Sequence, residues 1–509
     1  MFLDSTVGSL REPLTGRHWT RQVVSEEYRL RVRHFEEVGL HPSDRVFLHY
    51  GNNLEFFVDL LAIWALGGCV VPIDKRLTAY EVETLARAAT PRFSVWKGAP
   101  DEEIGARVMG CGAQLIETLS ESANGLERTA IPTRLLSLEG PALILFTSGT
   151  TGDPKGVVHT HRTLRARWLA LHQSLNVARF QRTLCLLPTH FGHGLICNCL
   201  FPWLSGQDLC IAPPFSVEII SQLGKLLDEE QITFMSSVPS LWRLALRMAS
   251  PPEAGTVEQI HCGSAPLSAE LWRDIRSWAG TTNVYNTYGI TETGSWVAGT
   301  TVPDFEPEDG LIGEGWGAVI RIVAGGDTDV PPPLADACPP GVEGHVWINT
   351  AALMTGYFGR DDLTDRVVAQ GWFLTGDIGL LDDRGLLYLR GREREEINKG
   401  GMKVHPGDVD AVISRFSGVR DVCAFGYEEA LYGEDVGVAV VVEDRSDRKL
   451  AELYGWTQRH LAEHKVPTRW YLVEEIPRTS RGKVNREVVA RECSGLEPTR
   501  LQRIWKSRS

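Results

Sequence analysis

The stretch TSGTTGDPKG at 147–156 has the residue types best suited to binding an anion. Its three glycines let backbone N–H groups approach a phosphate closely, and Lys155 adds a positive charge. Four hydroxyl side chains add hydrogen-bond donors: Thr147, Ser148, Thr150 and Thr151. No G-K-[ST] sequence closes the stretch, so it is not a Walker A loop. A phosphate-binding loop and a surface turn both fit this composition.

The elements that would position this stretch alternate between strand and helix patterns. The apolar run ALILF at 142–146 predicts a buried strand directly before the loop. Further strands are predicted at 44–50, 67–74, 182–188 and 208–214, with helices at 78–89 and 217–231 between them. This alternation indicates an α/β fold with largely parallel strands. The apolar stretch 56–73 contains Asp59 and a Gly-Gly pair, which favours a buried helix and strand over a membrane span.

Composition narrows the class of protein. The chain has 509 residues, of which 43% are apolar and 23% charged, which predicts a globular protein with two or more domains. The net charge of -13 disfavours binding to nucleic acid or to an anionic membrane. Ten cysteines without a C-x-x-C pair, and an N-terminus without a signal-peptide pattern, favour a cytoplasmic protein with free thiols.

The pattern changes near residue 390. A charged turn at 392–396 follows a strand pattern, and the next hundred residues carry their own strand and helix patterns. We therefore expect a large multilayer N-terminal domain at 1–391, a hinge at 392–396 and a small mobile α+β domain at 397–509.

Six segments in the same order resemble the motifs of the adenylate-forming superfamily. This superfamily contains acyl- and aryl-CoA ligases, peptide-synthetase adenylation domains and luciferases. Besides the loop at 147–156, the segments are NTYGITETG (286–294), LMTGYFGR (353–360), the run at 371–393, NKGGMKVHPGDVD (398–410) and PRTSRGKVNR (477–486). The resemblance implies that ATP activates a carboxylic acid to an acyl-adenylate with release of pyrophosphate, after which a thiol takes the acyl group.

The resemblance also implies an ATP site. The loop, with Gly149 as well as its hydroxyls and Lys155, would hold the pyrophosphate part of ATP. Tyr288 would lie against adenine, Thr291 would donate to the α-phosphate, and Glu292 would hold Mg²⁺. Asp377 would accept hydrogen bonds from the ribose hydroxyls, and Arg392 would reach the same sugar or the phosphate. Ser264, Asn286 and Thr287 complete the expected nucleotide site.

Two half-reactions on one chain require the small domain to turn. By resemblance, Lys483 meets the α-phosphate and the carboxylate in the first step and is removed in the second. The hinge aligns at Arg394, where Asp or Lys is usual. Gly400 and Gly401 resemble the small residues beside the pantetheine tunnel, and Asn398 stands where lysine is common.

The acid pocket is predicted from the segment 186–209 and from SSVPSLWR at 236–243. Phe191 stands where a gate histidine is common, and HFGHGL resembles benzoate-type CoA ligases. The candidate pocket residues are Phe191, His193, Trp242, Gly263, Ser264, Gly289 and Trp296. They favour an aryl or arylacrylic acid, with medium-chain and alicyclic acids left open.

The expected protein is an AMP-forming acid-thiol ligase that uses ATP, Mg²⁺ and CoA, as a monomer or homodimer. One alternative is transfer of the acyl group to a separate carrier protein or to an amine, as in secondary metabolism. An alternative of another class is a non-catalytic nucleotide-binding regulator, which the presence of Lys155, Glu292, Asp377, Arg392 and Lys483 opposes.

Overall fold

The computed structural model describes residues 7–120, 137–147, 154–214, 216–301, 305–324, 337–392, 396–477, 484 and 486–506. Their strands form three sheets, of which two lie before residue 393 and one after residue 396. The large α/β unit followed by a small C-terminal unit agrees with the predicted fold class.

The first sheet has seven strands within the described residues. In spatial order they are Gly356–Tyr357, Lys155–Thr160, Pro141–Thr147, Cys69–Pro72, Arg45–Leu48, Phe93–Trp96 and Gln114–Glu117. The last five are parallel, while Lys155–Thr160 runs antiparallel to Pro141–Thr147. The segment that links these two antiparallel strands contains the predicted phosphate loop.

The second sheet has fourteen strands within the described residues. Its parallel part runs from Leu10–Glu12 through Asp208–Ile211, Arg182–Cys185, Phe234–Ser237 and Gln259–Gly263 to Val284–Ile290, with Arg17–Trp19 antiparallel at the edge. Its antiparallel part continues with Ser295–Gly299, Leu311–Gly315, Leu387–Arg392, Trp372–Leu381, Gly344–Asn349 and Val319–Val323, and Val368–Ala369 pairs with Trp372–Leu381. The prediction of largely parallel strands therefore holds for only part of this sheet. The short links 291–294 and 382–386 return the chain alongside the preceding strand, and such links can join only antiparallel neighbours. Other antiparallel pairs, such as Leu311–Gly315 with Leu387–Arg392, join strands that are distant in sequence.

Helices cover the faces of these two sheets. They span Arg21–Glu37, Leu54–Ala65, Ala79–Ala89, Glu102–Gly110, His161–Ser174, Phe201–Leu204, Val217–Ser221, Leu223–Glu229, Pro239–Met248, Ala269–Ala279 and Asp361–Val367. A π-helical segment occupies His193–Leu200, and 3₁₀ turns occupy Val177–Phe180 and Thr291–Thr293. The segment predicted as one helix at 217–231 forms two helices, Val217–Ser221 and Leu223–Glu229. The regular helical hydrogen bonds are interrupted between them at Gln222.

Burial explains the apolar stretch at 56–73. Every residue of the helix Leu54–Ala65 is buried, and the strand Cys69–Pro72 that follows is buried as well. Asp59 is tolerated inside because Arg31 pairs with it at 3.0 Å and the hydroxyls of Tyr50 and Thr118 donate to it. No helix of the described segments is long and apolar enough to cross a membrane. All ten cysteines fall within the described residues and are free.

The small C-terminal unit has a five-stranded sheet in the described part of the chain. Its strands are Ile397–Lys399, Met402–Val404, Val419–Glu429, Gly433–Val442 and Arg469–Leu472. The helices are Pro406–Ile413, Asp447–His460, Arg486–Ser494 and Leu501–Lys506, with a 3₁₀ turn at Glu463–Lys465. An apolar core of its own, including Val438, Leu453 and Trp470, holds this unit together.

Candidate active site

A cavity of about 1420 Å³ lies between the large and small units. The large unit contributes ends of both sheets and the helix Ala79–Ala89, and the small unit contributes residues from 396 to 465. Among the lining residues are Thr147, Lys155, His190, Phe191, Thr291, Glu292, Glu396, Lys403 and His405. Five of these were predicted from the sequence as site residues, so the fold gathers them from distant segments.

The flanks of the predicted phosphate loop line this cavity. Thr147 and Lys155 are opposite each other in the antiparallel pair of strands, so the loop leaves and re-enters the sheet at one point. Ser148, Gly149, Thr150 and Thr151 lie outside the described residues. Their predicted contact with phosphate therefore stays a prediction.

Tyr357 links the loop's lysine to the predicted metal-binding carboxylate. The Nζ of Lys155 lies 5.6 Å from the centre of the Tyr357 ring, and the Tyr357 hydroxyl donates to Oε1 of Glu292 at 2.7 Å. The segment LMTGYFGR was recognised as a motif, but no role was assigned to its tyrosine. The three side chains place one cation and one carboxylate on the same cavity wall.

Thr291 and Glu292 form a 3₁₀ turn at the end of the strand Val284–Ile290. His159 fixes this turn through a 2.8 Å hydrogen bond between its Nε2 and the carbonyl of Thr291. Burial lowers the pKa of His159 to about 4, so the imidazole is neutral and donates from Nε2. The backbone N–H of Met354 donates to the Glu292 carbonyl at 2.7 Å. Two hydrogen bonds thus hold the turn, one from the strand Lys155–Thr160 and one from the segment LMTGYFGR.

Tyr288 and Asp377 contact each other directly. The Tyr288 hydroxyl donates to Oδ2 of Asp377, and both side chains are buried. Asp377 is paired in backbone register with Arg392 on the adjacent strand. The structure thus brings together three residues that were predicted to surround the nucleoside, although neither Tyr288 nor Asp377 lines the cavity.

Asn286, Thr287 and Gly263 sit where two strands of the second sheet meet. The Asn286 amide donates to the carbonyl of Leu311 at 2.7 Å, and the Thr287 hydroxyl donates to the carbonyl of Cys262 at 3.3 Å. A Cβ at Gly263 would lie 2.5 Å from the Thr287 carbonyl oxygen, so a larger residue does not fit there. The side chains of Asn286 and Thr287 thus form hydrogen bonds that stabilise the pairing of these strands.

His193 is clamped at the predicted acid pocket. Its Nδ1 lies 2.7 Å from the Ser264 hydroxyl, its Nε2 lies 2.6 Å from the Ser236 hydroxyl, and Trp296 meets its ring edge-on at 5.7 Å. Burial lowers the pKa of His193 to about 3, so the ring is neutral. A neutral imidazole has one N–H, so one serine accepts a hydrogen bond from it and the other donates.

Of the other predicted pocket residues, Phe191 lines the cavity, whereas Gly289 and Trp296 do not. Phe191 lines the cavity with its ring 4.4 Å from that of His190. A Cβ at Gly289 would lie 1.9 Å from the Ser295 carbonyl oxygen, so only glycine allows this strand pairing. Trp296 is 2% exposed.

Trp242 does not line the cavity. It is 0% exposed, its Nε1 donates to the Ser237 hydroxyl at 2.7 Å, and it packs edge-on against Trp278 at 5.3 Å. The helix Pro239–Met248 buries the face that carries Leu241, Trp242 and Ala245 against the sheet. The structure therefore shows Trp242 packed in the core. His193 and Trp296 are also outside the cavity lining, and the predicted contact of Trp242 with the acid stays a prediction.

Asp74 and His190 form a polar pair on the cavity wall that the sequence did not reveal. The Nε2 of His190 lies 3.2 Å from Oδ2 of Asp74, and the Arg76 guanidinium donates to both oxygens of the same carboxylate. Burial alone would raise the pKa of Asp74, but His190 and Arg76 outweigh it and lower that pKa. Each of these residues is ordinary in its local sequence, and only the fold brings them together.

The glycine turn of the small unit lies against the large unit. Gly400 and Gly401 have φ angles of +64° and +88° and join the strands Ile397–Lys399 and Met402–Val404. The Asn398 amide donates to the carbonyl of Ser264 at 2.7 Å. A Cβ at Gly401 would lie 3.0 Å from Val238. The hairpin therefore reaches the same serine that clamps His193.

Two family models match this chain. The AMP-binding enzyme model matches residues 11–358, and the model of the AMP-binding enzyme C-terminal domain matches residues 408–483. The chain belongs to the AMP-binding enzyme family.

Relatives of this AMP-binding enzyme are CoA ligases. The long-chain-fatty-acid–CoA ligase FadD13 of Mycobacterium tuberculosis is 28% identical over 91% of this chain and 90% of its own length. The 2-succinylbenzoate–CoA ligase of Geobacillus kaustophilus is 27% identical over 92% of each. A solved structure of o-succinylbenzoate CoA synthetase from Bacillus subtilis has a TM-score of 0.83 at 21% identity, covering 98% of this chain and 97% of that chain. The matches confirm the predicted superfamily, fold class and class of enzyme, an acid-activating ligase.

Besides the residues of the phosphate loop, three predicted residues of this AMP-binding enzyme have no described side chain. Arg394 and Lys483 lie outside the described residues, and Arg392 is described through its backbone alone. Sequence reasoning also passed over Lys403 and Glu396, whose side chains pair at 3.0 Å on the cavity wall. Both flank the glycine turn: Glu396 lies at the end of the predicted hinge, and Lys403 lies in the segment that resembles the wall of the pantetheine tunnel. Their charges in these two segments are the signal that the sequence offers.

Proposed function

We propose that this enzyme uses ATP to convert an aryl or arylacrylic acid to its acyl-adenylate, releases pyrophosphate, and passes the acyl group to CoA. One observation carries the proposal: a single cavity is bordered by the phosphate-loop flanks and Glu292 on the large unit and by residues beside the Gly400–Gly401 turn on the small unit. The CoA ligase relatives support ATP and CoA as the co-substrates.

The cavity wall fits the charge changes of adenylation. A carboxylate must approach the α-phosphate, and negative charge builds on the leaving pyrophosphate. Lys155 supplies a positive charge next to the loop, and Thr291 supplies a hydroxyl on the same wall. Glu292 would hold Mg²⁺, which prefers carboxylate and phosphate oxygens and would neutralise phosphate charge there. Lys483 is proposed to bind the reacting groups in this step.

The acid pocket supports a flat acid with a polar substituent. Phe191 offers an aromatic surface on the cavity wall, and the His193–serine clamp offers neutral hydrogen-bonding groups. A neutral polar site suits hydroxyl or amino substituents better than a second carboxylate. The relative named for 2-succinylbenzoate acts on an acid that contains an aromatic ring, and its second carboxylate is the feature that we expect to differ here.

The proposal also includes where the two domains meet and in which cellular compartment the enzyme works. We place the hinge at 392–396, between the last strand of the second sheet and the first strand of the small unit. We place the reaction in the cytoplasm, where CoA and ATP are available and where ten free cysteines remain reduced.

The test is pyrophosphate release with ATP and Mg²⁺ against benzoates, hydroxy- and aminobenzoates, cinnamates, and short and medium fatty acids, with and without CoA. Selective release with an aryl acid, and a thioester only when CoA is present, is the expected result. Pyrophosphate release without thioester formation would indicate that the acyl acceptor is a carrier protein or an amine and not CoA. Release that is equally weak in wild type and Lys483→Ala would support a nucleotide-binding regulator.

A further inference from the structure

The first turn of the helix Ala79–Ala89 contacts the small unit through two successive side chains. Tyr80 packs against the apolar core of the small unit, its ring meets His460 at 5.0 Å, and its hydroxyl accepts a hydrogen bond from Arg415. Glu81 pairs with Lys465, with 2.7 Å between Oε1 and Nζ. His460, Arg415 and Lys465 all belong to the small unit. One helical turn of the large unit therefore makes an apolar contact and an ionic contact with it.

The two oxygens of Glu81 have separate partners. Oε2 accepts from the backbone N–H and the hydroxyl of Thr78 at 3.1 and 3.0 Å, which completes a capping box at the start of the helix. Oε1 is left for Lys465. The cap therefore holds the carboxylate in the direction from which the lysine approaches, and little side-chain entropy remains to be lost on pairing.

The ion pair is largely shielded from water. The side chains of Lys465 and Glu81 are 15% and 11% exposed. Burial disfavours the ammonium, but the charges of Glu81, Asp408 and Asp74 outweigh it and raise the pKa of Lys465. Removing one partner of a shielded ion pair leaves the other charge buried without a counter-ion. The contact is therefore weakened more than when one partner of a surface pair is removed.

The same arrangement presents the glycine turn to the large unit on the other side of the cavity. Asn398 reaches Ser264 there, and the Arg76 guanidinium lies 3.0 Å from the sulfur of Met402. Among the described residues, the helix Ala79–Ala89 and the hairpin 397–404 therefore both hold the small unit against the large unit. Loss of the helix contact would remove one of the contacts that define the arrangement.

We propose that Tyr80 and Glu81 form a docking site that holds the small unit, through Arg415 and Lys465, in the arrangement used for acyl transfer. Glu81 and Lys465 are positioning residues, because they act through the hairpin and touch no reacting atom. The proposal rests on the proposed two-step function for its kinetic consequence. The contact itself can be tested without any acid.

Carbodiimide coupling tests the contact in the full-length protein. The reagent activates a carboxylate, and an adjacent lysine amine then forms an amide with it. We expect a Glu81–Lys465 amide in the peptide map of wild type. We also expect it, in equal or lower yield, in Thr78→Ala, where Glu81 loses one of the donors that orient it and keeps the lysine partner. Absence of this amide in both proteins would overturn the docking site. Both side chains line the cavity, so the reagent can enter.

Half-reaction kinetics test the positioning role, using the acid from the panel that gives the fastest pyrophosphate release. Lys465→Met and Glu81→Gln should each slow thioester formation about tenfold or more, as expected for loss of a hydrogen bond between charged groups. Pyrophosphate release without CoA should stay within about twofold of wild type, since the contact belongs to the other arrangement. Lys465→Arg should restore most of the thioester rate. Thr78→Ala removes the hydroxyl that donates to Glu81 and keeps the backbone N–H donor, so it should lower the thioester rate less than Lys465→Met does.

The outcomes separate the two proposals. Equal loss of both half-reactions in Lys465→Met, or no loss in either, would overturn the positioning role while the enzyme remains a ligase. If no acid gives pyrophosphate release in wild type, the proposed function fails, and the amide between Glu81 and Lys465 still decides whether the docking site exists.

Discussion

The hydroxyl of Tyr288 donates a hydrogen bond to the carboxylate of Asp377, although the two residues are 89 positions apart in the chain. Asp377 was predicted to accept hydrogen bonds from the ribose, and Tyr288 to lie against the adenine. In the structure they bind each other, so nucleotide binding has to exchange at least part of this contact for contacts with the ligand.

Asp377→Asn should raise the KM for ATP about 10- to 100-fold, because a charged acceptor for the ribose hydroxyls is lost. Tyr288→Phe is the matched control, since it removes the hydroxyl and keeps the ring. It should leave the KM within about threefold and instead lower the free energy of unfolding by about 1–3 kcal/mol, because a buried carboxylate loses a donor. Initial rates at varied ATP and urea unfolding measure the two effects. A KM increase as large in Tyr288→Phe would contradict the ribose assignment.

Glu292→Gln should lower kcat for pyrophosphate release about 100-fold or more, because charge stabilisation at the reacting phosphate is lost. Tyr357→Phe removes only the hydroxyl that donates to Glu292 and keeps the ring near Lys155. Its effect should be about tenfold at most. Raising Mg²⁺ should partly rescue Glu292→Gln if this side chain holds the metal, and an unchanged Mg²⁺ dependence would argue against that role.

His193→Phe should change the preference among acids while the KM for ATP stays within about twofold. The substitution removes both hydrogen bonds to Ser236 and Ser264 and keeps an aromatic ring beside Trp296. Hydroxy- and aminobenzoates should lose about tenfold or more in kcat/KM relative to unsubstituted benzoate, because the pocket loses its polar group. An identical acid profile in the variant would place the substrate away from His193.

Gly401→Ala should slow thioester formation without slowing pyrophosphate release. The φ of +88° disfavours a side chain, and the new Cβ would press on Val238 at 3.0 Å. Gly418→Ala is the matched control in the same unit, since its φ is +98° and no atom lies within 4 Å of a Cβ there. Both variants should lose about 1 kcal/mol of stability, and only the first should lose acyl transfer.

Stability should fall as the pH drops below about 6.5. Burial lowers the pKa of His49 and His193 to about 3 and of His159 and His190 to about 4. Between these values and 6.5 the unfolded chain takes up protons that the folded chain does not, so protonation favours unfolding. Each such histidine contributes up to about 1 kcal/mol per pH unit across that range.

Urea unfolding at pH 7.5 and 5.5 measures this dependence. His49→Phe keeps a ring stacked on Trp96, which His49 contacts at 4.0 Å, and removes one titrating group. The difference in the free energy of unfolding between the two pH values should therefore be smaller in the variant. An equal difference in both proteins would mean that His49 is already protonated in the fold.

Motif order was enough to predict the family, the fold class and the class of reaction. Short blocks such as YGITE and LTGD carry this information because their residue types and their order along the chain resemble the motifs of the family. The helix 79–89 and the strand before the phosphate loop were also predictable, since their apolar spacing is local. The antiparallel part of the second sheet was not, because strand direction depends on how distant segments pair.

Tertiary structure decided which of the candidate side chains share a surface. The residues flanking the loop, Thr291, Glu292 and Phe191 meet at one cavity, whereas Trp242 turns into the core because its helix packs that face on the sheet. Asp74, His190, Glu81 and Lys465 have no distinctive local pattern. Their significance comes from proximity across up to 384 positions of sequence, and such contacts exist only after the chain has folded.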